Sequence, residues 1–138
     1  MADNFDLCLV TNSRMAARAI TRRYDKLLRG RGINATQLSL MAAICQLPGR
    51  TVSEIAEFRG FERTTLTRNF DRLEQMGLLV SRNAERGNGR LCAVTKEGEA
   101  LMNSLLPLWR QAQAEMLDVL SADGFDDATK MLRRLAKV

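Results

Sequence analysis

Residues 64–80 read TTLTRNFDRLEQMGLLV, and their apolar side chains repeat with the period of an α-helix. At ~100° per residue, the threonines and arginines fall on one face, and the opposite face is apolar, with Leu66, Phe70 and Leu73. Gly77 interrupts this pattern, and the β-prone run Leu78-Leu79-Val80 follows it. The stretch therefore predicts an amphipathic helix that is followed directly by a short strand.

Glycines and capping residues divide the preceding sequence into three further helices. The first is expected from about residue 5 to residue 29, and its apolar stripe consists of Val10, Ser13, Ala17, Ile20, Tyr24 and Leu27. The second opens at Asn34, with Gln37 three residues later, and the third opens at Thr51, with Glu54 three residues later. Both spacings are those of a capping box, in which two side chains bond each other's backbone amides.

A β-hairpin is predicted after the fourth helix. Two short apolar runs, 78–80 and 91–94, flank a polar loop that contains Asn88-Gly89, a dipeptide that favours tight turns. Thr95 then caps a long helix that reaches about residue 120, and Pro107 is expected to kink it. Ser121 caps a last helix. The sequence thus predicts a mainly α fold with a small β-wing, in the element order of a winged helix-turn-helix.

The composition narrows the possible functions. A chain of 138 residues fits one domain, and its lack of histidine excludes Ser-His and Cys-His catalysis and histidine metal ligation. Dispersed cysteines at 8, 45 and 92 indicate reduced thiols, and we expect Cys45 and Cys92 to be small buried hydrophobes. The acidic pairs Glu97/Glu99 and Asp126/Asp127 suit helix N-termini better than a catalytic site. We expect no enzyme, cofactor, metal or membrane segment, and a cytoplasmic protein.

The positive charge is concentrated in the first part of the chain. Residues before Lys96 include 15 basic and 9 acidic side chains, whereas the remainder has 6 basic and 7 acidic ones. Such a surface attracts phosphate, although an ordinary solvated basic face is the simpler explanation.

The fourth helix presents polar side chains on the face opposite its apolar stripe, namely Arg63, Thr64, Thr67 and Arg68. An ordinary amphipathic surface helix would show the same two faces. Arginine can donate two hydrogen bonds to the edge of a guanine, and threonine can contact the methyl group of a thymine. Further arginines crowd the hairpin, namely Arg82, Arg86 and Arg90.

Three stretches resemble the MarR (multiple antibiotic resistance regulator) family. They are Thr51–Glu57, residues 64–80 and Val94–Gly98, and the segments 17–22 and 106–109 are also similar to that family. The resemblance implies a homodimeric bacterial or archaeal transcription regulator, usually a repressor that a small ligand or oxidation releases from DNA. It also implies one domain over 1–138, in which 34–95 form the winged DNA-binding lobe and 1–33 with 96–138 form the helical dimerisation region.

The resemblance also assigns roles to individual residues. The segment Arg63–Arg72 matches the recognition helix, so its DNA-facing role passes to Thr64, Thr65, Thr67 and Arg68. The loop 84–90 matches the wing, whose arginine tip lies along the minor groove in this family.

This sequence departs from the family pattern at two places. Glu62 stands where the family has a small N-cap and is expected to cap poorly. The family's Asp-x-Arg wing motif is also missing, so that either Arg86 or Arg90 replaces its arginine.

The apolar surface and the sensing residues complete the prediction. The first helix, the last helix and a face formed by Leu101, Leu105, Leu108 and Ala112 are too extensive for the winged core to cover, which predicts an obligate homodimer. We therefore expect a repressor of a palindromic operator that a small effector releases. Effector-pocket candidates, which could equally be core residues, are Met15, Tyr24, Met41 and Trp109.

Two alternatives remain open at this point. The first is a thiol-based redox repressor that uses Cys8, which lies where the peroxide-sensing branch of the family carries its reactive cysteine. Apolar neighbours are expected to bury this thiol, raise its pKa and leave it inert. The second is a winged-helix protein-interaction module, which would fail to bind DNA at any salt concentration.

Overall fold

The computed structural model describes residues 3–87 and 89–138. A short 3₁₀ turn at Phe5–Leu7 precedes the first helix. The helices are α1 (Leu9–Leu28), α2 (Ala35–Gln46), α3 (Val52–Arg59), α4 (Arg63–Gln75) and α5 (Lys96–Leu135), and the antiparallel strands are β1 (Leu79–Asn83) and β2 (Arg90–Val94). The predicted fold class is confirmed, because the chain is mainly helical with a two-stranded wing after three short helices.

The two predicted capping boxes are present. Asn34 accepts a hydrogen bond from the Gln37 amide at 2.9 Å, and the Gln37 side chain accepts one from the Asn34 amide at 2.9 Å. Thr51 and Glu54 exchange the equivalent bonds at 3.2 and 3.3 Å. Each box satisfies backbone donors that a helix N-terminus would otherwise leave unpaired. The beginnings of α2 and α3 are therefore determined by local sequence.

The long helix α5 breaks at Ser121. Thr95 caps its beginning and accepts a hydrogen bond from the Gly98 amide at 3.0 Å. The backbone keeps helical dihedral angles through Pro107, where the sequence predicts a kink, and leaves them at Ser121, with φ of 64° and ψ of 168°. The Ser121 hydroxyl accepts from the Gly124 amide at 3.3 Å. Ser121 thus caps a last helical segment, as predicted.

The core lies where α2, α3, α4 and the hairpin meet the first half of α5. Its fully buried side chains come from all of these elements: Leu40, Met41, Ile55, Leu66, Phe70, Leu73, Leu79 and Leu105. Leu101 and Leu108 pack against this core, and Ala112 is buried. The face containing Leu101, Leu105, Leu108 and Ala112 is therefore largely covered within one chain, whereas the sequence predicts only that this face, the first helix and the last helix are not all covered. Helix α5 contacts α1 and strand β2 within the same chain.

Both ends of the chain leave apolar surface exposed. Helices α1 and α5 are joined by an ion pair between Arg23 Nε and Glu115 Oε2 at 2.6 Å and by a hydrogen bond from the Tyr24 hydroxyl to Gln113. Beyond this joint lie an N-terminal arm, residues 5–15, and a C-terminal arm, residues 117–135. Their large exposed hydrophobic residues are Phe5, Leu7, Leu9, Val10, Met15, Leu117, Val119, Leu120, Met131, Leu132 and Leu135. None of the helices described is long and apolar enough to cross a membrane.

Candidate nucleic-acid interface

The exposed helix α4 is fixed at its N-terminus by Glu62. The Glu62 carboxylate accepts hydrogen bonds from the Thr64 amide at 3.1 Å, the Thr65 amide at 2.8 Å and the Thr65 hydroxyl at 2.6 Å. These bonds, the one from the Thr65 hydroxyl first, lower the pKa of Glu62 to about 2. The expectation that Glu62 caps poorly is wrong, because its side chain is long enough to reach both amides. Its negative charge also suits the helix N-terminus.

One face of α4 is available to a partner. Leu66, Phe70 and Leu73 are buried in the core, and the opposite face forms a shallow concavity lined by Arg63, Thr64, Thr67, Arg68 and Asp71. Both Thr67 and Arg68 are exposed there, as is Arg72 on the following turn. The helical period alone predicts this arrangement, since the apolar stripe determines which face remains outside.

Two of the predicted DNA-contacting residues have partners within the protein. Arg63 donates a hydrogen bond to the Ser53 hydroxyl on α3 at 2.8 Å, which ties the start of α4 to the preceding helix. Thr65 is half-buried, and its hydroxyl donates to the Glu62 cap. Thr64, Thr67 and Arg68 are exposed and line the concavity without either of these contacts.

The hairpin extends beyond α4 as a basic wing. Its strands pair from Leu79 opposite Val94 to Asn83 opposite Arg90, and the Ala84 amide donates to the Gly89 carbonyl at 2.8 Å across the loop. Gly87 has a φ of +83°, which favours glycine. The predicted Asn88-Gly89 turn involves Asn88, which lies outside the described residues. Arg82 and Arg86 are exposed on this wing.

Arg90 differs from the other wing arginines because it contacts α4. Its Nη1 lies 3.5 Å from Asp71 Oδ1, and its Nη2 lies 3.4 Å from Glu74 Oε1 and 3.1 Å from the Ser81 hydroxyl. Its guanidinium also stands 5.0 Å from the centroid of the Phe70 ring. Sequence reasoning missed this network. The only signal for it is a pair of acids three residues apart on α4, beside the apolar stripe.

A separate cleft of about 630 Å³ opens between α1, α2 and α5. Tyr24 and Trp109, both predicted as pocket residues, line it, and so do side chains that the sequence did not single out, such as Leu38, Phe61 and Met102. The other two candidates lie elsewhere. Met41 is completely buried in the core, and Met15 is exposed on the N-terminal arm. Methionine at helical spacing therefore does not distinguish a pocket from a core or from a surface.

The three cysteines have different environments. Cys8 is half-buried at the N-cap of α1, where the backbone amide of Thr11 lowers the pKa of its thiol. The expected burial and raised pKa of Cys8 are thus wrong for the single chain. Cys92 is buried as predicted, and burial raises its pKa to about 11. Cys45 is exposed, contrary to expectation, and desolvation still raises the pKa of its thiol.

Fold and site together define a winged-helix transcription regulator that binds DNA. Residues 31–91 match the model of the MarR family. The chain belongs to the MarR family of transcriptional regulators, as its resemblance implies.

Solved and curated relatives extend this similarity over nearly the whole chain. The transcriptional regulator MosR of M. tuberculosis, solved in complex with DNA, is 32% identical, with 94% of each chain covered and a TM-score of 0.83. The regulator MhqR of Bacillus subtilis is 26% identical over 122 residues, which cover 87% of this chain and 83% of MhqR. The PcaV regulator of Streptomyces coelicolor, solved with its natural ligand, shares the fold at 21% identity, with a TM-score of 0.85 and coverage of 100% of this chain and 98% of PcaV.

The Glu62 cap makes a prediction about pH. Because the folded-state pKa of Glu62 lies well below its ordinary value of 4.5, its stabilising effect is full above that value and is lost as the pH falls towards about 2. Glu62→Gln should therefore lower the thermal midpoint at pH 7, and the difference from wild type should shrink between pH 5 and pH 2. Thermal unfolding followed by circular dichroism measures this. The control is Glu57→Gln, at an exposed position on α3; a constant difference for Glu62→Gln across that pH range would contradict the charged cap.

Proposed function

We propose that this protein is a homodimeric repressor that binds a pseudo-palindromic operator and that a small effector releases. The observation that carries the proposal is the face of α4 that presents Thr64, Thr67 and Arg68 outward while its opposite side is buried. Threonine hydroxyls beside an arginine guanidinium can form hydrogen bonds with base edges in the major groove. The DNA complex of MosR supports this role, because MosR is 32% identical over nearly the same length.

In this proposal the wing and the flanking arginines position the protein on the DNA backbone. Arg86, at the exposed tip of the wing, enters the minor groove, where an arginine gains from the negative potential. Arg82 and Arg72 face phosphates on either side. Arg63 and Thr65 support the helix through their bonds to Ser53 and Glu62.

The direct test is selection of bound genomic fragments by the purified protein. We expect enrichment of an inverted repeat with half-sites about one helical turn apart, because a two-fold dimer presents two recognition helices at that spacing. Binding should then be reproduced with a synthetic duplex of the enriched sequence. A failure to enrich any sequence, with no binding to DNA at low salt, would favour the protein-interaction alternative.

The dimer is supported by the two apolar arms, residues 5–15 and 117–135. Leu9, Val10 and Val119 are exposed by 66%, 67% and 76%, and Leu132 by 57%. Large apolar side chains exposed in such number indicate an interface. A second copy of the chain would cover both arms at once if the two copies interlock about a two-fold axis.

We therefore expect sedimentation at micromolar concentration to show a dimer. Leu132→Asp should shift the protein towards monomers and weaken operator binding, because it places a charge in the buried interface. The matched control is Phe58→Asp, since Phe58 is also 57% exposed but lies on α3 in the DNA-binding lobe. A folded wild-type monomer at this concentration would contradict the dimer. Equal shifts towards monomers in Leu132→Asp and Phe58→Asp would also contradict it.

The effector site in this proposal is the cleft between α1, α2 and α5. Among the side chains that the structure describes there, none that lines the cleft is charged, and apolar groups such as Leu38, Phe61 and Met102 predominate. The hydroxyl of Tyr24 already donates to Gln113, and burial raises the pKa of Tyr24, so this group is neutral at physiological pH. Anions would lose their hydration here without gaining a cation. The cleft therefore favours an uncharged, largely aromatic molecule.

This choice of effector can be tested with a matched pair of probes. Methyl 4-hydroxybenzoate should quench the fluorescence of Trp109, the only tryptophan of the chain, and release operator DNA, whereas 4-hydroxybenzoate should do neither at equal concentration. Ala42→Leu, which fills the cleft, should abolish the response, and Ala114→Leu, at an exposed position on α5, should preserve it. Equal responses to both probes would contradict an uncharged site. Release by organic hydroperoxide that Cys8→Ser abolishes would instead favour the thiol-based alternative.

A further inference from the structure

We propose that Arg90 is a positioning residue that clamps the wing onto the recognition helix and masks the negative charge of Asp71 and Glu74 from DNA. The proposal rests on the DNA-binding role of α4 and assigns Arg90 a place in the protein's own network instead of on the nucleic acid. The exposed wing arginines, Arg82 and Arg86, then supply the contacts to DNA.

The geometry of the clamp joins three elements. Arg90 on β2 reaches Asp71 at 3.5 Å and Glu74 at 3.4 Å on α4, and the Ser81 hydroxyl on β1 at 3.1 Å. Ser81 in turn donates to Glu74 Oε2 at 2.6 Å. A planar guanidinium with several donors can hold these three acceptors at once, which a lysine ammonium on a flexible stem does less well. The network therefore fixes both strands against one side of the helix.

The aromatic contact ties the clamp to the core. The Arg90 guanidinium stands 5.0 Å from the centroid of Phe70, whose side chain is completely buried. A cation over an aromatic face is attracted by its quadrupole. Arg90 also pairs with Asn83 at the last rung of the hairpin, directly before the wing loop. Its position therefore determines the direction in which the loop and Arg86 extend.

The charges explain why a clamp is useful at this place. Asp71 lines the same concavity as Thr67 and Arg68, so its carboxylate would face the phosphates of bound DNA. Like charges facing each other across an interface oppose binding. An arginine held between Asp71 and Glu74 compensates both carboxylates, while its own charge is not available to neutralise a phosphate.

The first experiment compares Arg90→Ala with the matched control Arg82→Ala on operator DNA as the salt concentration varies. Each phosphate contact that is lost reduces the slope of log affinity against log salt by roughly one per subunit. Arg82→Ala should show this reduction. Arg90→Ala should weaken operator binding roughly tenfold. Its slope is measured in a background of Asp71→Asn with Glu74→Gln, where no carboxylate is unmasked, and there it should stay unchanged, as expected when positioning and not a phosphate contact is lost. A reduced slope for Arg90→Ala in that background would overturn the proposal.

The second experiment asks whether Arg90 acts through the two acids. In a background of Asp71→Asn with Glu74→Gln, the effect of Arg90→Ala should fall from roughly tenfold to about two- to threefold, because residues of one network are coupled. An undiminished tenfold effect in that background would show a direct DNA contact and refute the clamp. Should Arg90→Ala fail to fold, Arg90→Lys and Ser81→Ala provide the same comparison with milder changes.

A measurement on the free protein separates this proposal from the DNA-binding role. Amide hydrogen exchange in residues 82–87 should speed up in Arg90→Ala, since the wing loses its attachment to α4, and should be unchanged in Arg82→Ala. Unchanged exchange in Arg90→Ala would refute the clamp even if operator binding is lost. Faster exchange in a protein that binds no DNA would retain the clamp and reject the proposed function.

Discussion

Arg68→Ala is expected to remove most of the preference for the operator over random DNA. Arg68 is exposed on the outward face of α4, where its guanidinium can donate two hydrogen bonds to the edge of a guanine. Such a bidentate contact discriminates by about 1–3 kcal/mol, and a dimer loses it in both half-sites. Operator affinity should therefore fall far more than affinity for random duplex of equal length. The measurement is fluorescence anisotropy with both duplexes at one salt concentration.

The same titrations on the wild type should show a steep dependence on salt. Neutralising about six to ten phosphates lowers the affinity by ~10³–10⁵ between roughly 50 and 200 mM salt. The concentration of positive charge before Lys96 supplies the side chains for these contacts. Equal losses on operator and random DNA in Arg68→Ala would reduce Arg68 to a phosphate contact. A flat salt response would reject nucleic acid as the partner.

Gly98→Ala is expected to destabilise the fold strongly. A Cβ atom at this buried position would lie 2.3 Å from the Leu78 carbonyl oxygen and 2.6 Å from Val94 Cγ1. The Leu78 carbonyl is held in place because it accepts the Thr95 amide at 3.1 Å. Overpacking against a backbone atom should lower the free energy of unfolding by about 2–3 kcal/mol. For a chain of this size that corresponds to roughly 5–15 °C in the thermal midpoint.

Gly124→Ala provides the control for this substitution. Gly98 and Gly124 occupy equivalent positions, because each donates its amide to the capping hydroxyl three residues earlier, Thr95 or Ser121. At Gly124 the added Cβ meets only the Ser121 hydroxyl at 3.3 Å and Leu120 Cβ at 3.6 Å. Alanine there should be neutral or stabilise by up to about 1 kcal/mol, through helix propensity. Equal thermal midpoints for the two variants would contradict the close approach of α5 to the hairpin.

The sequence determined the elements and the orientation of α4 because these depend on local interactions. Capping residues three positions apart, such as Thr51 and Glu54, satisfy backbone amides within one turn. The positions of Leu66, Phe70 and Leu73 specify the buried face of α4 and leave Thr67 and Arg68 outside by geometry alone. The match to the MarR family covers residues 31–91, which include these elements.

Which side chains meet across elements depends on how distant elements pack, and the sequence alone does not predict it. Arg90 finds Asp71 and Glu74 across 19 and 16 residues of chain, and nothing in the sequence distinguishes it beforehand from Arg82 or Arg86. Tyr24 and Trp109 line the cleft, and Met41 lies in the core, because of how α1, α2 and α5 pack. The residue types alone do not predict this packing. Local bonds follow from spacing along the chain, whereas these contacts depend on the packing angles of helices that are far apart in sequence.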